Sequence, residues 1–307
     1  MRLQQTIQRS IRCTGTGLHS GCRVSLGLLP APPDTGIVFL RKDIGGGTRI
    51  RTSIKNIQSS LLSTSIGVDR VQVQTIEHVL AAAAGLHIDN LIIEVDAPEL
   101  PALDGSSAPL VDMILKGGIV QQDRRQPYLK IMRPIEVSDG EKRITIRPAS
   151  VPRVSYTIDY DHPLIRRQNY AFGGSQDDFV REIAPARTFG FLSEVEALWD
   201  AGLGLGGSLQ NTLILSDDAL LNEDGLRFVD EFVRHKVLDL IGDMALLGMP
   251  FIGEIVAVRS GHALHARLVA QVLESRENWM LVSADTTAPA GRISQLAPSL
   301  VASPQRD

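Results

Sequence analysis

QQDRRQP, residues 121–127, is the point at which the pattern of this chain starts again. Before it, residues 3–40 alternate apolar and polar side chains between glycine-rich turns, which predicts strands. TIEHVLAAAAGL (75–86) predicts an Ala-rich helix with a glycine near its end, and DNLIIEVDAPEL (89–100) a strand stopped by Asp and Pro. SSAPLVDMILKGGI (106–119) predicts a second helix with a serine start and a glycine stop. After the seven polar residues, YLKIMRPIEVSDGEKRITIRPAS (128–150) is again a meander of strands. SQDDFVREIA (175–184) and residues 230–248 predict helices, and GEIVAVRSGHALHARLVAQVL (253–273) a strand running into a helix. Each half therefore reads strands, helix, strand, helix. The expectation is an α+β chain of two topologically similar domains, 1–124 and 125–282, joined by a polar link. Residues 283–307, rich in Ala, Pro and Ser, predict a flexible C-terminal tail.

Composition narrows the function classes. A chain of 307 residues with 43% hydrophobic and 21% charged residues is that of a folded protein with a sizeable core. Its net charge of −4 gives no general attraction to nucleic acid or to anionic membrane. No apolar run approaches the roughly 18 residues of a membrane span, and MRLQQTIQRS lacks the core of a signal peptide, so the cytoplasm is expected. Cys13 and Cys22 are too few for a disulfide scaffold and are expected as free, mostly buried thiols.

FVRHKVLDLIGDMALLG (232–248) has the density of a buried helix, yet His235, Asp239 and Asp243 recur in it at steps of four. At 100° per residue they share one stripe. Two readings stand: a polar seam satisfied by hydrogen bonds, or part of a metal site, because a buried carboxylate needs a partner. His235 and Asp239 alone are too few for zinc. Of the remaining histidines, His87 and His162 sit in connecting segments and read as structural or solvated. His262 and His265 stand three apart, with one of the pair expected at the surface. His78 lies on an Ala-rich helix beside Glu77, an arrangement akin to the general-base glutamate of zinc hydrolases, though no short zinc motif is complete. His262 follows a strand and a glycine at the start of a helix. In ARTFGF (186–191), Thr188 offers a hydroxyl and Phe189 and Phe191 offer rings, either to a ligand or to the loop itself. GLGLGGS (202–208) is not a dinucleotide fingerprint, because it follows a helix and leads into a strand.

Taken together, TGTGLHSG (14–21), TIEHVLAAAAGLHIDNLIIEVDAPEL, ARTFGF, HKVLD, GD and SGHAL resemble the UDP-3-O-acyl-N-acetylglucosamine deacetylases, the zinc amidases of lipid A biosynthesis. The resemblance runs from about residue 3 to 282. It implies two α+β domains, each a β-sheet layered with helices, with the active site between them. It implies one Zn²⁺ per chain, with Fe²⁺ an alternative in cells, held by His78, His235 and Asp239. In that family water on the metal attacks the acetamide of the sugar. Carried onto this chain, Glu77 is the general base and His262 the general acid. Asp243 orients that histidine, and Lys236 and Thr188 stabilise the oxyanion. Substrate contacts would come from Leu18, His19, Phe189, Phe191, Lys142, Tyr160, Arg259 and Gly261. An insertion at about 191–214 would form an apolar passage for the acyl chain. The implied partner is the nucleotide-sugar lipid alone, with no nucleic acid and no membrane insertion, in a monomer. The residues by themselves also allow another zinc amidase, or a non-catalytic nucleotide-sugar or lipid-binding protein whose helix stripe is structural.

Overall fold

The computed structural model describes residues 2–283, so the tail expected beyond Ser283 lies outside the described residues. The helices are α1 (Glu77–Gly85), α2 (Ala108–Gly117), α3 (Gln176–Asp178, continued by a π-helical turn over Phe179–Ile183), α4 (Leu192–Asp200), α5 (Glu231–Met244) and α6 (His262–Glu274).

Two five-stranded mixed sheets share one topology. In spatial order the first is Ile11–Thr16, Arg23–Pro30, Leu91–Val95, Ile37–Arg41 and Thr48–Arg51. The second is Ile135–Asp139, Lys142–Arg147, Glu254–Val258, Arg153–Asp159 and Arg167–Phe172. Neighbours in both run antiparallel, antiparallel, parallel, antiparallel. The duplication expected from the restart is thus present strand for strand. Each sheet has one apolar face: Leu91, Ile93 and Val95 are buried on one central strand, Ile255 and Ala257 on the other. The alternation is that of sheets with one face turned to a core.

The helices obey the same duplication. α1 precedes and α2 follows the central strand Leu91–Val95; α5 precedes and α6 follows Glu254–Val258. The two equivalents α1 and α5 pack against each other. Their backbones meet where Gly242 faces the first turn of α1: a Cβ at Gly242 would lie 2.0 Å from the Glu77 carbonyl oxygen. A backbone oxygen cannot swing aside, so Gly242→Ala is expected to push the helices apart. The cost should be about 1–3 kcal/mol of stability, the range for overpacking. A thermal melt checks this, and an unchanged Tm would show that the contact is more compliant than its distance implies.

The polar stretch that read as a link is a strand. Ile119–Arg125 pairs antiparallel with Leu3–Ile7, from Ile7 opposite Ile119 to Leu3 opposite Arg125. Most of its side chains are exposed, so it carries a surface composition although its backbone is paired. The Asn90 amide nitrogen donates to both Gln4 (2.9 Å) and Gln122 (2.7 Å) and pins the two strands to the first sheet. The thiols also depart from expectation: Cys13 is half-buried at a sheet edge and Cys22 is exposed. No helix among the described residues is long and apolar enough to cross a membrane.

Candidate active site

The site forms where α1 and α5 meet, and its parts are placed by buried charge on either side. Thr75, just before α1, has φ = +58°, a left-handed conformation that a β-branched residue rarely takes. Its hydroxyl donates to Glu99 Oε1 at 3.0 Å. The fully buried Glu99 also accepts from the backbone nitrogens of His19 (2.8 Å) and Ser20 (2.7 Å). One carboxylate therefore sets both the entry into α1 and the loop that carries Leu18 and His19. The next two residues in helical register, Glu77 and His78, are the first of α1.

On the other side, Arg187 is 3% exposed and lies against Glu231, the fully buried first residue of α5. Its Nε and backbone nitrogen both donate to Glu231 Oε1 (2.9 and 3.0 Å), and its Nη1 reaches Asp224 at 2.7 Å. That clamp holds the carbonyl of Ala186, which accepts from His235 Nδ1 at 3.0 Å. With Nδ1 thus occupied, His235 presents the lone pair of Nε2 to the interior, as a metal-ligating imidazole must. Burial pushes its pKa down to about 3, so the ring is neutral.

His78, His235 and Asp239 converge: ligand atoms of the three lie within 4.8 Å of one another. Asp239 Oδ1 is 3.3 Å from His235 Nε2 and 3.6 Å from His78 Nε2, and this buried oxygen has no hydrogen-bond partner among the described residues. The other oxygen, Oδ2, accepts from Lys236 Nζ at 2.8 Å. Against the pull of burial, the Lys236 ammonium holds the Asp239 carboxyl well below its ordinary value, so it is ionised. An unsatisfied carboxylate oxygen faced by two imidazole nitrogens is a costly arrangement for a protein alone. It fits a divalent metal, because tetrahedral ligands about 2 Å from zinc sit roughly 3.3 Å from each other. Three such ligands form the open set of a catalytic zinc site rather than the closed set of a structural one.

Glu77 lies beside this set, almost wholly buried, with Oε2 accepting from Thr64 N at 3.0 Å. Burial raises its pKa, while His262 and His78 oppose the shift. His262 stands at the first turn of α6, and its Nδ1 is 2.7 Å from Asp243 Oδ2. Burial alone would lower the imidazole, but Asp243, with Asp239 and Glu77, raises it to about 9. Asp243 also accepts from the Thr64 hydroxyl at 2.5 Å and from His265 Nδ1 at 2.7 Å. Both members of the pair His262 and His265 are therefore buried, and the expectation that one faces solvent is corrected. His265 points inward because it lies one turn past His262, on the same face of α6.

The other sequence candidates fall around this centre. Phe189 packs edge-on against Phe232 and His235. The Lys236 ammonium sits 5.6 Å from the Phe189 ring centroid, so the lysine is held between that ring and Asp239. Thr188 is half-buried, and its hydroxyl makes no hydrogen bond among the described residues. Tyr160 and Arg259 line one cavity of about 490 Å³ together with His162 and Arg166, and Phe191 packs on Tyr160. His162 is buried and bonds Ser216 O through Nε2, a structural tie. Lys142 is exposed on its hairpin and outside that cavity lining; the neighbouring Glu141 is the one that bonds Arg259. Gly261 caps α6 in extended backbone, directly before His262. His19 Nδ1 is buried without a hydrogen-bond partner among the described residues.

Residues 189–215 fold as a strand (Phe189–Phe191), α4 and a parallel return strand (Leu213–Leu215). No side chain of α4 is buried, and Leu192, Trp199 and Leu205 stay exposed. The glycine-rich turn after α4 docks on the first half, with Leu205 N donating to His19 O and Gly206 N to Leu18 O. Sequence reading missed Thr64 and Glu99, and misjudged His265, whose only local signal was its i, i+3 spacing from His262.

Two like halves, with a His–His–Asp set buried between their equivalent helices and a buried glutamate at its side, define a metal-dependent hydrolase. The family model described as UDP-3-O-acyl N-acetylglycosamine deacetylase matches residues 4–274. The chain is 45% identical to the UDP-3-O-acyl-N-acetylglucosamine deacetylase of Myxococcus xanthus over 92% of its own length and 90% of that protein's. It is 44% identical to the one from Marinobacter nauticus over 97% and 99%, and 43% identical to the one from Syntrophus aciditrophicus over 92% and 90%. The chain belongs to the UDP-3-O-acyl-N-acetylglucosamine deacetylase family.

Proposed function

We infer that this protein removes the N-acetyl group of UDP-3-O-acyl-N-acetylglucosamine, giving acetate and the free 2-amine, in lipid A biosynthesis. The observation that carries the reading is the unpartnered Asp239 Oδ1 between two imidazoles, with Glu77 adjacent, in a chain of this family. One zinc, or a similar divalent ion, held by His78, His235 and Asp239 supplies Lewis acidity toward the amide carbonyl and acidifies a water. Glu77 takes the proton of the attacking water on its carboxylate. His262 delivers a proton from Nε2 to the departing amine nitrogen, while Asp243 holds its Nδ1. The Lys236 ammonium and the Thr188 hydroxyl donate to the oxyanion that develops on the carbonyl oxygen.

The uridine diphosphate part is assigned to the cavity of Tyr160 and Arg259, with Lys142 at longer reach. Leu18, His19, Phe189, Phe191 and Gly261 line the approach to the sugar. Residues 191–214 carry the acyl chain, for which the exposed Leu192, Trp199 and Leu205 are suitable walls. The division at 124/125 and a monomeric working unit belong to the same reading.

The test joins metal analysis to assay. Purified protein should hold about one zinc per chain and release acetate from the acylated substrate faster than from its 3-O-deacylated analogue. Chelation or His78→Ala should abolish both metal and turnover, and zinc should restore only the chelated wild type. Ordered protein that binds the nucleotide sugar but no metal would mark a binding module instead.

A pH profile tests the acid. His262 must be protonated to act, so activity falls as pH rises through its pKa. Without metal that value is raised to about 9, and a bound cation draws it lower. Asp243→Asn removes the charge that raises it, so the alkaline limb should move to lower pH. A limb that stays put assigns the proton donor elsewhere.

A further inference from the structure

His265 belongs to the buried network around Asp243, yet the mechanism above gives it no part. It is fully buried, one turn beyond His262 on α6. Its Nδ1 lies 2.7 Å from Asp243 Oδ2, the same oxygen that His262 Nδ1 approaches at 2.7 Å. Its Nε2 lies 3.2 Å from the hydroxyl of Tyr156, itself almost fully buried. One assignment of hydrogens accounts for the four contacts around Asp243 and His265. The Tyr156 hydroxyl donates to His265 Nε2, His265 Nδ1–H donates to Asp243 Oδ2, and so does His262 Nδ1–H. The Thr64 hydroxyl donates to the second oxygen, Oδ1.

We propose that His265 is a positioning residue of the deacetylation. It holds the Asp243 carboxylate in one orientation, and through it fixes the His262 ring with Nε2 turned toward Asp239, 3.8 Å from Oδ2. Tyr156, on the strand Arg153–Asp159 of the second sheet, in turn fixes the ring of His265. The line Tyr156–His265–Asp243–His262 therefore couples the position of the proton donor to the sheet beneath it. A carboxylate with Thr64 alone on one oxygen and His262 alone on the other could turn about its Cβ–Cγ bond and carry the imidazole with it. The third donor prevents that. Orientation of a reacting group is worth large factors in rate, and small displacements forfeit them. The inference rests on the functional reading above, because His262 has a position to hold only if it transfers a proton.

The test compares kcat, KM and metal content of the zinc-loaded full chain in three variants. His265→Leu keeps the bulk and removes the donor. His265→Asn retains a donor where Nδ1 stood. Tyr156→Phe removes only the hydroxyl. His265→Leu is expected to lower kcat about tenfold, with KM and zinc content unchanged, and His265→Asn to restore most of that loss. Tyr156→Phe should lower kcat about threefold in the wild type and not at all in an Asp243→Asn background, since the line is already broken there. Equal rates for the Leu and Asn variants, or a Tyr156→Phe effect of the same size in both backgrounds, would overturn the proposal. Should His265→Leu not fold, the Tyr156→Phe cycle decides by itself. A zinc-loaded wild type without acetate release would refute the functional reading; an active wild type with the wrong variant pattern refutes this inference alone.

Discussion

Replacing Glu77 by Gln is expected to lower kcat by about 10²–10⁴-fold, the usual contribution of a positioned general base, with KM, zinc content and circular dichroism unchanged. The amide matches the carboxylate in shape and still accepts from Thr64 N, which is 3.0 Å away in the wild type. What it loses is the ability to take a proton. Two influences act on Glu77 in the proposed role. Burial raises its pKa, and the nearby His262 and His78 oppose that rise. Its place at the first turn of α1, where the helix presents free backbone N–H groups, also favours the anion. A rate for Glu77→Gln within about tenfold of wild type would move the base to another residue while leaving the enzyme class intact.

The second large effect is on stability. Arg187→Leu is expected to cost about 3–5 kcal/mol, the range for leaving one partner of a buried ion pair uncompensated. Glu231 is fully buried, and without the Arg187 side chain it would keep two backbone donors, the residue 187 nitrogen 3.0 Å from Oε1 and the Arg227 nitrogen 2.6 Å from Oε2, and no cation. The double variant Arg187→Leu/Glu231→Leu should recover a good part of the loss, because an apolar pair carries no desolvated charge. Denaturant titration of the three variants distinguishes the cases. A double variant no more stable than the single would show that the clamp acts by shape rather than by charge. Arg187→Leu should also weaken zinc binding about 10–100-fold, since the Ala186 carbonyl that orients His235 rides on the same clamp.

The helices and their apolar faces were legible in the sequence because their signals are local. The Ala-rich α1, the glycine stop after α2 and the dense apolar flanks of α5 each announce themselves within a dozen residues. The restart of the pattern likewise revealed two halves. Strand order was not legible, because it depends on pairings such as Leu40 with Glu94, far apart along the chain. The stretch 121–127 read as a link for a related reason. A strand with both faces near solvent has the composition of a loop, and only its partner Leu3–Ile7 reveals it.

The candidate site divides in the same way. His235, Asp239 and Asp243 stood out because ionisable groups on an apolar stripe are costly, and the family resemblance joined His78 and Glu77 to them. Thr64 could not have been found locally. It bridges Glu77 and Asp243 from a serine- and threonine-rich segment with nothing to distinguish it, and its hydroxyl partner is 179 residues away. His265 was visible but misjudged, because a histidine three residues after another can face either way until the neighbouring helix is in place.

The ribbon of Leu3–Ile7 with Ile119–Arg125 has a consequence for how the chain is made. It ties nearly the whole first half into one loop, whose ends meet only after residue 125 has left the ribosome. Until then the first strand has no partner, and the entropy of closing so long a loop delays its pairing. The metal set is later still. His78 emerges early, but its companions His235 and Asp239 arrive only with α5. A growing chain thus offers a passing cation one imidazole from this set and nothing to chelate with. Duplication has placed half of the site in each copy, so capture of the ion reports that both copies have folded and docked.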